Sequence, residues 1–145
     1  MTQSCTIYCK VNKFRSVVEL AKECGFSSMR ADRTEKSVTI QGQSGSLQLN
    51  PKVFVTGGDP FSKLLLSTLT FAESIQSLSD AARQRLISHI EATQLIIGVV
   101  GEPDFDADER YHDVLFATAR ALGGLIFDGS DFFDADGRTI GCDSD

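Results

Sequence analysis

The feature that most restricts the fold lies at residues 94–129, where a nearly continuous apolar run, QLIIGVV, precedes a helical pattern and then the strand-like LIFDG. An uninterrupted apolar strand belongs where both faces of a sheet are covered, because side chains on either face must leave water. The helical stretch carries Tyr111, Leu115, Thr118, Ala119 and Leu122 on one stripe and ends at Gly123 and Gly124. That spacing is an amphipathic helix with a glycine stop. A strand, helix and strand of this length are most simply built as a right-handed parallel crossover.

The rest of the chain supplies partners for this unit. SCTIYCK alternates Cys5, Ile7 and Cys9 against Thr6, Tyr8 and Lys10, the two-residue period of a half-buried strand. Asn12 is placed to cap a helix whose Phe14, Val17, Val18 and Ala21 share a face, with Gly25 as its stop. SVTIQ (37–41), the turn GQSG (42–45), SLQLN (46–50) and KVFVT (52–56) read as two or three antiparallel strands. GGDP (57–60) opens a helix through Phe61, Leu64, Leu65, Thr68, Leu69 and Ala72; another runs from about Asp80 to Ala92 with Ala82, Leu86, His89 and Ile90 inward. SDFFDADGRTIG closes the chain as a hairpin about an Asp-Gly turn.

The expected fold is therefore α/β, a mixed α+β arrangement in one domain spanning residues 1–145. It has a mixed sheet of about five to seven strands with helices packed on it, in the order β-α-β-β-β-α-α-β-α-β. At 145 residues and 41% apolar content, one core of ordinary depth is available. No apolar run approaches the roughly 20 residues of a membrane span, and the N-terminus lacks a secretory pattern. These point to a cytoplasmic protein. The four cysteines match no disulfide, zinc or redox spacing; Cys5, Cys9 and Cys24 are expected as reduced thiols in or near the core, and Cys142 as an exposed one.

The net charge of −6 is unevenly spread. Lys and Arg against Asp and Glu number 7 to 4 in residues 1–50, 4 to 4 in 51–100 and 3 to 12 in 101–145. An acidic third of this kind repels nucleic acid and anionic membrane and speeds association with a basic partner.

Its densest part, GEPDFDADERYHD (101–113), resists assignment to known chemistry. An EF-hand register from Asp104 has Glu109 where glycine must turn the loop and Leu115 where a glutamate must close it. A D-x-D phosphatase motif would end on Asp108 and lacks the later lysine and paired aspartates. GGDP lacks the lysine of a P-loop, and GQSGS is no nucleophile elbow. A helix start accounts for more: Asp106 and Glu109 have capping-box spacing, acids crowd the positive end of the dipole, and Arg120 lies at the other. What remains is a candidate divalent-metal set of Glu102, Asp104, Asp108 and His112, the basis of an alternative reading as a metal-dependent hydrolase.

The second acidic cluster places Asp128, Asp131, Asp134 and Asp136 around Phe132 and Phe133, one ring expected inward and the other exposed. Aromatic side chains among carboxylates have the composition of a contact patch rather than a catalytic pocket. No cofactor is implied.

QLIIGVVGEP followed by LFATARALGGLIFDGSDFFDADGR, roughly the last third of the chain, resembles stretches of uncharacterised bacterial cytosolic α/β proteins. The resemblance implies a bacterial cytosolic setting and brings no catalytic residue or substrate. The reading reached from sequence is a non-enzymatic protein-binding domain. Its acidic last third would dock a basic partner, in the way an immunity-type inhibitor docks a toxin.

Overall fold

A computed structural model describes residues 3–11, 13–14, 16–31, 37–53, 70, 79–128, 132–134 and 139–140. Apart from Thr70, the helix expected from GGDP onward lies outside the described residues, as do Asn12, residues 54–56, Asp131, Asp136 and Cys142. The described elements, in chain order, are β1 (Gln3–Cys9), α1 (Ser16–Glu23), β2 (Met29–Ala31), β3 (Val38–Gln41), β4 (Ser46–Val53), α2 (Asp80–Glu91), β5 (Leu95–Glu102), α3 (Arg110–Leu122), β6 (Gly124–Phe127), β7 (Phe132–Phe133) and β8 (Thr139–Ile140).

All eight strands join one sheet in the order β2-β3-β4-β5-β1-β6-β7-β8. Every neighbouring pair is antiparallel, so the expected mixed sheet is not what forms. The reason is the position of β1. It inserts between the two strands of the strand–helix–strand unit, pairing Thr6 with Gly98 of β5 on one side and with Phe127 of β6 on the other. The strands β5 and β6 still run parallel to each other, as the crossover requires, but they are separated by a strand from the far end of the sequence.

Strand alternation sends odd and even positions of β1 to opposite cores. Cys5, Ile7 and Cys9 join Leu95, Ile97, Val99, Leu47, Leu49, Val38 and Ile40 beneath α1 and α3. Tyr8 joins Ile96, Leu125 and Phe132 beneath Ala82, Leu86 and Ile90 of α2. The apolar run at 95–100 is thus buried from both sides, as its composition requires. Truncating Ile97, fully inaccessible between β4 and β1, would remove about 2–5 kcal/mol by transfer and cavity terms.

Local rules account for most element ends. Ser79 caps α2, its side chain accepting from the Ala82 N–H at 3.2 Å. Gly25 takes φ 100° just after α1, where a β-carbon would be strained. Gly123 closes α3 in the left-handed conformation, its N–H on the Ala119 carbonyl. Two expectations change. SLQLN and the following Lys52 and Val53 form one strand passing through Pro51, which pairs with Ile97 beyond the last β3–β4 pair, Val38 with Leu49. There the missing N–H of proline interrupts no described ladder on that side. The three-residue β2 is also new, being too short to reveal a period.

Among the described residues, no helix is long and apolar enough to cross a membrane.

Candidate functional site

Because β5 and β6 are parallel, the segments that follow them leave the same end of the sheet. Glu102 ends β5, and Asp128 follows β6 beside the start of β1, close enough to act electrostatically on Cys5. Both acidic clusters of the sequence therefore begin at one end of the molecule, two strand spacings apart, about 10 Å.

The loop between β5 and α3 is tied down at almost every residue. A β-carbon on Gly101 would overlap Phe105, whose ring folds back into the core. The Phe105 N–H donates to Gln3 Oε1 at 3.0 Å, and Asp104 Oδ1 accepts from the Asp106 N–H at 2.9 Å, an Asx turn. The β3–β4 turn packs against the same loop. Ser44 Oγ donates to the Ala107 carbonyl at 3.0 Å, and Gln43 N–H donates to Asp108 Oδ2 at 3.2 Å.

Asp108 is the hub of this arrangement. Its side chain is 2% exposed, and both oxygens are engaged by Arg110: Oδ1 accepts from Nε at 3.0 Å, Oδ2 from Nη2 at 2.7 Å. Oδ1 also accepts the Arg110 backbone N–H at 3.0 Å, and the Asp108 carbonyl accepts the Tyr111 N–H. The side-chain hydrogen bonds from Arg110 hold this carboxyl down at about 2, against the opposing cost of burial. Arg110 reaches further, donating through Nη1 to the Gly25 carbonyl at 2.7 Å and lying 4.1 Å over the Phe26 ring, which stacks on Tyr111 at 5.8 Å. Three segments remote in sequence are pinned by one ion pair. The Tyr111 hydroxyl lies against Gly42, where any β-carbon would overlap it.

This geometry corrects the expected capping box. Glu109, the residue preceding α3, makes no side-chain capping bond, and Asp106 instead faces His112, with Oδ1 and Nε2 at 3.1 Å. Asp108 satisfies the first free N–H, because only its side chain meets an arginine that both neutralises and orients it. Sequence reasoning missed Arg110. The available signal was a carboxylate two residues before an arginine at a helix start.

The proposed metal set is not assembled. Both oxygens of Asp108 are occupied, His112 turns to Asp106, and among the described residues no three His, Cys, Asp or Glu side chains are arranged to hold an ion. Glu102, Asp104, Asp108 and His112 thus share a loop without sharing a centre. Among the described residues from 101 onward, the carboxylates that face solvent are Glu102, Asp106, Glu109, Asp113 and Asp128, with Asp104 and Asp134 half-buried.

The aromatic pair also differs from expectation, because neither ring stands exposed. Phe132 is 1% exposed and stacks on Phe127 at 4.4 Å, whereas Phe133, on the opposite face, is half-buried against the larger core. Adjacent residues of a strand covered on both faces both find packing partners.

No family model matches the chain, and neither a curated protein nor a solved structure matches it.

Proposed function

We propose that this chain is a non-enzymatic protein-binding domain of the bacterial cytoplasm whose acidic C-terminal third docks a basic protein partner, in the manner of an immunity-type inhibitor covering a toxin's active site. The observation that carries the reading is the shared origin of the two acidic segments at one end of the sheet, where Glu102, Asp106 and Asp128 face solvent on either side of β1. Aligned carboxylates on a rigid scaffold accelerate encounter with a cationic surface and reject anionic ones, nucleic acid and membrane included.

In this reading Asp128, Asp131, Asp134 and Asp136 supply the field. Phe132 and Phe133 stiffen the strand that presents it, with the accessible edge of Phe133 as the aromatic contact.

The test is the association rate. A partner captured from a bacterial lysate would be measured against the wild type and against a variant carrying Asp131→Lys, Asp134→Lys and Asp136→Lys. Association should slow by roughly tenfold or more at low salt and converge with wild type as salt rises, with dissociation little changed. Unaltered association at low salt would remove the acidic-surface reading.

A further inference from the structure

At the edge of the sheet β2 and β3 form the floor of a depression of about 340 Å³ lined by Ser28, Met29, Arg30, Thr39 and Gln41. The ladder register explains its chemistry. Arg30 pairs with Thr39, and the Gln41 N–H donates to the Ser28 carbonyl at 2.9 Å, so these four side chains, at alternate positions, project from one face. The opposite face takes Met29, Val38 and Ile40 into or against the core.

We propose that this depression binds a small organic monoanion, a carboxylate, through the Arg30 guanidinium. The guanidinium is a planar fork of donors matched to two carboxylate oxygens. Thr39 and Ser28 hydroxyls add neutral donors around it, the Gln41 amide already donates to the Gly45 carbonyl at 3.2 Å, and the volume lies near the lower end of the roughly 300–1,000 Å³ typical of small-molecule sites. Among the described residues, no ion pair engages Arg30.

The charge around the site is mixed. Among the described residues Arg30 is the one cation of the lining, and Glu102 shares the face along the row Gln41, Ser46, Glu102. At two strand spacings, about 10 Å, its repulsion of a monoanion is largely screened at physiological salt, where the Debye length is about 8 Å.

The site is independent of the acidic docking surface, so either reading stands without the other. The full chain would be titrated with benzoate and, separately, with inorganic phosphate, following backbone amide shifts by NMR. Benzoate is expected to give saturable shifts at the Ser28–Arg30 and Thr39–Gln41 amides. Arg30→Gln should weaken it at least about tenfold, and Thr39→Val, which keeps the shape of the strand, about threefold. Arg85→Gln, on the exposed side of α2, should leave it unchanged. The proposal is overturned if these amides do not saturate below tens of millimolar, if both site variants bind benzoate as wild type does, or if phosphate binds more tightly.

Discussion

Asp108 and Arg110, two residues apart at the start of α3, form a two-pronged ion pair with contacts of 3.0 and 2.7 Å, and the aspartate is almost wholly withdrawn from water. The pair does what a capping box was expected to do and more. It starts a helix, holds the β3–β4 turn through Gln43, and holds the end of α1 through Gly25.

Replacing Asp108 with alanine should therefore be far more damaging than replacing any exposed acid of the same loop. The N–H groups of Gln43 and Arg110 lose their acceptor and the guanidinium loses its partner, a loss of about 2–3 kcal/mol. Asp106→Ala, which removes only a bond to exposed His112, should cost under about 0.5 kcal/mol. Urea midpoints of the two variants check this, and equal midpoints would deny Asp108 its role.

Acid should expose the same pair. A carboxyl lowered from 3.8 to about 2 on folding contributes stability that is complete above the unfolded value and is lost as pH falls through the folded one. The stability difference between wild type and Asp108→Asn should stay constant above about pH 5 and shrink steadily toward pH 2. A difference independent of pH across that window would contradict the assignment.

His89 should report on the seating of α2 in a different window. Its Nε2 donates to the Tyr8 carbonyl at 3.0 Å, and burial is the main cause that lowers its pKa from 6.5, with Lys10 adding to it and the Tyr8 bond opposing. A folded value below the unfolded one means that the unfolded chain binds the proton first. The contribution is thus complete above 6.5 and declines as pH drops through the folded value. Denaturant midpoints should fall between about pH 7 and 5, and His89→Gln should flatten that slope; an unflattened slope would place its cause elsewhere.

Cys5 and Cys9 should be silent thiols in the folded protein. Burial pushes both up to about 12, leaving roughly one molecule in ten thousand as thiolate at pH 8. With a thiol-exchange reagent they should react only as fast as the sheet opens, and at once in denaturant. Cys24, half-buried, should label earlier. Prompt labelling of either strand thiol in native protein, located by mass spectrometry, would contradict this placement.

Periodicity determined most of the residues that turn inward: the odd positions of β1, the stripe of α3, the doubly buried run from Leu95, the inward side of α2. Each depends only on a repeat of 2 or 3.6 along a local segment, so the sequence carries it directly. Tyr8, on the β1 face that the alternation left to solvent, is buried beneath α2 as well. Strand order, the insertion of β1 between β5 and β6, and hence the all-antiparallel sheet were decided by competition among strands for the same edges. No local pattern records that competition. The fate of the acidic loop was decided in the same way. Asp104, Asp106, Asp108 and Glu109 look alike as letters, yet only Asp108 meets Gln43 from 65 residues earlier and an Arg110 anchored on Gly25, 85 residues away. A carboxylate's burial and acidity belong to the groups packed around it, and those are chosen by the tertiary structure.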